Sequence, residues 1–211
     1  MPRDFAGLID GYHRFKEEDW PQQKAEWEQL SKGQTPRVLI IACSDSRVDP
    51  TQIFDAKPGE LFVVRNVANL VPPFEQGGGL HGVSAALEFA VTQLKVEEIV
   101  IMGHASCGGV AAALSQGFRD AKPGEGGFVA SWISLLDDAR EKVATEKGTG
   151  PEGQRALEWE GIRASIENLK TFPFVQKALD EGSLKLRGAW FGIAEGELRV
   201  LKDENQEFEA A

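Results

Sequence analysis

Val38-Leu39-Ile40-Ile41-Ala42-Cys43-Ser44-Asp45-Ser46-Arg47 is the stretch whose reading decides the fold. Its first six residues are apolar without alternation, as a strand buried on both faces of a sheet must be. The residues that follow place a thiol, a carboxylate and a guanidinium on alternate positions. A second stretch has the same form: Ile99-Val100-Ile101-Met102 leads into Gly103-His104-Ala105-Ser106-Cys107-Gly108-Gly109. The chain has only two cysteines and three histidines. Both cysteines and one histidine fall at the ends of these two apolar runs.

Further strands lie outward from this pair. Leu61-Phe62-Val63-Val64 is a short apolar run, Leu184 to Ile193 alternates, and Glu195-Gly196 turns the chain into Leu198 to Leu201. Helical patterns fill the intervals. Asp49-Pro50 is a cap followed by a proline suited to the first helical position. Val83, Leu87, Ala90, Val91 and Leu94 share one helical face. Helices are also expected from Val110 to Leu114, from Phe128 to Val143, from Ala156 to Lys170 and in a last short piece before Gly182. This order predicts an α/β fold: a mainly parallel central sheet of four strands with an antiparallel edge strand, helices on both faces and an N-terminal helical arm. The arm covers 1–32, the core 33–202 and an acidic, frayed tail 203–211, all within one domain. In the arm, Phe5, Leu8, Ile9, Tyr12 and Phe15 recur at helical spacing after the capping residue Asp4, and Pro21 opens a second helix. Two placements suit that apolar stripe, against the main body or against a partner subunit.

Composition narrows the classes. With 211 residues, 42% hydrophobic and 27% charged, the chain is long enough to bury a core. A formal net charge of -10 argues against nucleic-acid binding, which needs basic patches. No stretch is long and apolar enough to cross a membrane, so no membrane partner is expected. Two cysteines form no disulfide framework, which suits a reducing compartment and a cytoplasmic location.

Two thiolates and an imidazole are a preferred donor set for Zn2+. His104 and Cys107 lie three apart at a strand-to-helix turn. Cys43 ends another strand, so adjacent strands would bring all three together at the carboxyl edge of the sheet, where open α/β folds place their sites. Three protein ligands leave a fourth tetrahedral position, the mark of a catalytic zinc. Gly77-Gly78-Gly79-Leu80-His81-Gly82 formally matches a dinucleotide fingerprint, but Asn69 to Gln76 separates it from its strand, and it reads as a turn into a helix. Glu152, Glu158 and Glu160 read as a solvated helix face.

Cys43-Ser44-Asp45-Ser46-Arg47 together with His104-Ala105-Ser106-Cys107-Gly108-Gly109 resembles the signature of the β-class carbonic anhydrases. Pro58-Gly59-Glu60, Val64-Arg65-Asn66-Val67-Ala68-Asn69, Leu87-Glu88-Phe89-Ala90, Asn168-Leu169-Lys170-Thr171 and Gly188-Ala189-Trp190-Phe191 are similar to that family as well. The resemblance implies zinc held by Cys43, His104 and Cys107, and an Asp45–Arg47 pair beside it. It also implies reversible hydration of carbon dioxide to bicarbonate and a proton by a zinc-bound hydroxide. Gln34 and Phe62 match two substrate-pocket residues of the plant-like kind, and Phe89 stands where that kind has a tyrosine. Val67 and Gly108 complete the implied pocket. Such pockets are shared between two subunits, so a homodimer or higher homo-oligomer is implied. Another branch binds bicarbonate at a regulatory site with a Trp, an Arg and a Tyr. Arg65 matches the Arg, but Ile40 and Phe191 occupy the other two places, so that site is expected to be missing. Rival functions are hydrolysis of carbonyl sulfide or carbon disulfide on the same scaffold, and a noncatalytic zinc-dependent binding module; the latter would be expected to lose Asp45 or Arg47.

Overall fold

The computed structural model describes residues 3–77 and 79–211, so Gly78 of the glycine-rich turn lies outside the described residues. The chain divides into two units, Met1–Thr35 and Pro36–Ala211. In the first, α1 (Phe5–Arg14) starts at Asp4, whose carboxylate accepts the Gly7 N–H at 2.9 Å. A π-helical turn, Phe15–Asp19, joins it to α2 (Trp20–Leu30), which has proline in its first turn. Phe5, Leu8, Ile9 and Tyr12 of α1 are exposed.

The second unit is built on a six-stranded sheet of order β2-β1-β3-β4-β5-β6. The strands are β1 (Val38–Cys43), β2 (Leu61–Asn66), β3 (Glu98–His104), β4 (Lys185–Gly192), β5 (Glu197–Leu201) and β6 (Phe208–Ala210). The first four in spatial order are mutually parallel, β5 runs antiparallel to both β4 and β6, and a short α3 (Pro50–Ile53) follows β1. The sheet grows outward in both directions from β1 and β3, so the crevice at their carboxyl ends is a topological switch point.

Alternate residues of the central strands feed two cores. Leu39, Ile41, Ile99 and Ile101 pack with Leu87 of α4 (Gly82–Glu88), Ile162, Ile166 and Leu169 of α8 (Pro151–Lys170) and Val175 of α9 (Pro173–Asp180). Ile40, Ala42 and Met102 pack with Val110, Ala113 and Leu114 of α5 (Gly108–Ser115) and Val143 of α7 (Asp137–Lys147). This doubly covered sheet is why its strands lack polar alternation.

Three local features depart from the sequence-based expectation. The antiparallel edge has two strands, not one. Phe208 is 5% exposed and stacks on Trp159 with ring centroids 5.2 Å apart, and its strand pairs Leu201 with Phe208. Burial of that ring ties down a tail whose acidic composition suggests fraying. The helix expected over Phe128 to Val143 is broken into α6 (Gly127–Ile133), a 3-10 turn (Ser134–Leu136) and α7. Helix α8 starts at Pro151, inside the glycine-rich stretch, because proline suits the first helical position. Gly153 is obligatory there: a Cβ would fall 1.9 Å from the Gly148 carbonyl oxygen.

Ile162 is fully buried and lies over Gly103 of β3 and Gly188 of β4. Ile162→Ala is expected to cost about 2–5 kcal/mol, the usual penalty for emptying such a site. The measurement is urea unfolding, where the midpoint should fall at unchanged slope.

Candidate metal centre

Strand register brings the ligands together. Ala42 pairs with Met102 across β1 and β3, so Cys43 and His104 end neighbouring parallel strands. The strand pairing continues past both ends, with Ser44 N–H donating to Asn66 O at 2.8 Å and Ala105 N–H to Phe191 O at 2.9 Å. Ser106 then takes a left-handed φ of 55° and turns the chain so that Cys107 becomes the residue capping α5.

The candidate ligand atoms of Cys43, His104 and Cys107 all lie within 4.8 Å of one another, and all three residues are buried. The two sulfurs are 3.9 Å apart. His104 Nδ1 donates to Ala105 O at 2.9 Å, which leaves Nε2 as the lone-pair nitrogen. That Nε2 is buried without a hydrogen-bond partner. A buried polar atom with no partner is costly, and this one sits among two sulfurs, so the donor set fits a thiophilic divalent ion such as zinc.

Backbone amides support the sulfurs. The backbone amides of Asp45 and Ala68 favour the thiolate of Cys43, and those of Gly109 and Val110 favour that of Cys107. The same segment is strained, since Ala68 and Asn69 have φ of 63° and 51° without being glycine. Asn66 braces that segment by bonding both the N–H and the C=O of Leu70, at 2.9 and 2.8 Å. Between the sulfurs, the hydrogen bond from Cys107 pulls the Cys43 thiol well below its ordinary pKa. The same contact, with burial, pushes Cys107 upward. For His104, burial works downward, but the neighbouring Cys43 sulfur and its charge outweigh it and the net shift is upward.

Asp45 and Arg47 form a two-pronged pair at the rim. Arg47 Nε donates to Oδ1 at 2.9 Å and Nη2 to Oδ2 at 2.7 Å, and the Arg47 backbone N–H also reaches Oδ1 at 2.9 Å. Arg47 Nη2 further donates to Ser106 O at 3.1 Å, linking the two ligand-bearing loops. Arg47 holds the Asp45 carboxyl well below the usual carboxylate range. Asp45 Oδ2 lies 3.9 Å from His104 Nε2.

Arg65 stiffens the same loop from β2. Its Nε donates to Cys43 O at 2.9 Å, Nη2 to Asp45 O at 2.7 Å and Val48 O at 3.1 Å, and Nη1 to Asp49 Oδ2 at 3.2 Å.

The remaining sequence-derived site residues divide into near and far. Val67 lies over Gly109, where an added Cβ would come within 2.7 Å of its Cγ1, and Gly108 opens free space at the start of α5. Phe62 and Phe89 form a tilted pair with centroids 5.9 Å apart. Phe62 is level with Leu39, whereas Cys43 is level with Asn66. Four register steps of about 3.3 Å each separate them along the strand, so this aromatic pair is not beside its own chain's cysteine. Gln34 is exposed near the end of the first unit.

Glu158 corrects the sequence reading. It is 3% exposed rather than solvated. Its Oε1 accepts from Cys107 N–H at 3.0 Å and Gln154 Nε2 at 3.2 Å, and its Oε2 from Trp190 Nε1 at 3.1 Å. Burial pushes its carboxyl pKa up. The signal was present, since Glu158 falls in step with Ile162, Ser165, Ile166 and Leu169 on the buried face of α8. Glu152 is exposed and Glu160 partly so.

Known proteins are similar to this chain in sequence and in fold. The family described as carbonic anhydrase matches residues 38–198. A carbonic anhydrase of Pseudomonas aeruginosa is 37% identical over 202 residues, covering 95% of this chain and 89% of that one. The solved structure of the β-carbonic anhydrase CcaA is 33% identical with a TM-score of 0.89, covering 97% of this chain and 98% of that one. Crystal structures described as two tetrameric β-carbonic anhydrases of the filamentous ascomycete Sordaria macrospora are also similar. There the identity is 31% and the TM-score 0.81, over 93% of this chain and 96% of the other. The parallel sheet, the Cys-His-Cys cluster at its switch point and these likenesses together establish that the chain belongs to the carbonic anhydrase family, in its β class.

Proposed function

We propose that this protein catalyses the reversible hydration of carbon dioxide to bicarbonate and a proton, with one zinc ion held by Cys43, His104 and Cys107. The observation that carries the reading is the unpartnered, buried His104 Nε2 among two sulfurs, with the Asp45–Arg47 pair at its rim. Zinc bound there supplies a Lewis acid that makes water a nucleophile source near neutral pH. The chain's own residues do the rest. Asp45 stays ionised because Arg47 holds it so, and therefore offers only acceptor oxygens. It can orient an O–H group in the site without taking up the proton itself at neutral pH. Arg47 fixes that carboxylate by two parallel bonds and ties it to the Ser106 carbonyl. Val67 and the open space at Gly108 leave room for a small apolar substrate. A reducing compartment such as the cytoplasm suits the two free cysteines. Among the described residues, no helix is long and apolar enough to cross a membrane.

The pocket is assigned to two copies of the chain. Phe62 and Phe89 lie away from their own Cys43, which supports a second copy supplying the apolar wall. The exposed Phe5, Leu8, Ile9 and Tyr12 of α1 suit an oligomer contact. Arg65 already directs four N–H groups into the Cys43–Asp49 loop, and Ile40 is buried. Both facts support the absence of a second, regulatory bicarbonate site.

In a stopped-flow assay, protein carrying one zinc per chain should hydrate carbon dioxide, lose activity on chelation and regain it with zinc. Zinc-loaded protein that is inert at pH 8 or above overturns the reading. In the same assay Asp45→Ala should lower kcat by about 10²-fold or more while zinc stays bound, the scale of a positioned polar group in the reaction. Bicarbonate should inhibit hydration without cooperativity; a sigmoidal dependence would restore the regulatory site. Light scattering should give at least a dimer for the parent, and Leu8→Glu with Ile9→Glu should shift it toward smaller species; an unchanged mass would remove α1 from the contact.

A further inference from the structure

We propose that Glu158 is a positioning residue of the metal centre, fixing the direction of the Cys107 sulfur through the Cys107 backbone. This deepens the zinc reading above and rests on it. Cys107 follows a left-handed residue, Ser106, and caps a helix, and its N–H finds its acceptor outside the turn. A buried N–H without an acceptor costs free energy. The acceptor comes from α8, 51 positions along the chain, as Glu158 Oε1 at 3.0 Å. The carboxylate is itself held, by Gln154 Nε2 on the same oxygen and by Trp190 Nε1 on the other. All three donors are neutral, and no cation pairs with Glu158 among the described residues. The side chain is therefore placed as an oriented acceptor that joins β4 and α8 to the ligand turn, not as half of an ion pair. Rotation of the Cys107 peptide would break this bond and swing the sulfur, so the bond sets where one of the two thiolates points.

A glutamine tests this by geometry, because it has one acceptor oxygen where glutamate has two. In Glu158→Gln, either the Cys107 N–H or the Trp190 N–H must face the amide –NH2. Chelator competition should show zinc affinity reduced by about 10–100-fold in Glu158→Ala, the usual effect of removing a partner that orients a ligand, and by less in Glu158→Gln, whose oxygen can still face Cys107. The visible thiolate bands of the cobalt-substituted protein should shift as well. Trp190→Phe removes the competing donor, so Glu158→Gln with Trp190→Phe should regain the affinity and spectrum of Trp190→Phe alone. Glu158→Ala should not be rescued by the same change. Circular dichroism and thermal melts of each variant separate loss of metal from loss of fold.

Parent-like zinc affinity and cobalt bands in a folded Glu158→Ala overturn the proposal. So does a double variant as weak as Glu158→Ala, which would assign the effect to charge instead of orientation. A parent protein that takes up neither zinc nor cobalt would overturn the metal-centre reading itself, and is told apart by that control.

Discussion

Two sulfur atoms 3.9 Å apart in a buried, low-dielectric place, with a partnerless imidazole nitrogen between the same strands, are the constraint on which this structure depends. A charge at either sulfur is penalised by burial unless donors or a cation answer it. The surrounding backbone is arranged to answer it. Ala68, whose backbone amide favours the Cys43 thiolate, adopts an unfavourable conformation, and the amides at the start of α5 favour the thiolate of Cys107. Strain at Ala68, Asn69 and Ser106 thus clusters around one centre, which is the usual signature of function.

The loop between Cys43 and Asp49 is the second consequence of that constraint. It must present a ligand and a carboxylate in fixed relation, yet it is short and lies at the sheet edge. Arg65 braces it from one side and Arg47 ties it to the opposite loop. Both arginines act as forked, permanently charged donors, a role that lysine would fill poorly. The loop is therefore held between two guanidinium forks that approach it from opposite sides.

Much of this was legible in the sequence. The unalternated runs of β1 and β3 mark strands covered on both faces, and the cysteines at their ends mark where the strands finish. What was not legible has physical causes. Glutamate is so rarely buried that Glu158 reads as surface unless its helical phase is weighed against its chemistry. The acidic tail hides one decisive residue, Phe208, whose burial outweighs the charges around it. The linker-like glycines before α8 conceal a helix start, because Gly153 is there for close backbone approach and not for freedom. Phe62 and Phe89 read as pocket residues in the sequence, but their distance from Cys43 follows from strand register and is seen only once the sheet is built.

Ile162 links the architecture to the chemistry in one further way. Its side chain stands 2.9 Å from where a Cβ on Gly103 would lie and 3.0 Å from where one on Gly188 would lie. Gly103 immediately precedes the His104 ligand. Three positions on three separate elements therefore share a single volume, and none can grow unless another shrinks. Among diverging descendants of this sequence they should drift together or not at all, so the tolerance of the ligand strand to mutation is set from the helix that crosses behind it.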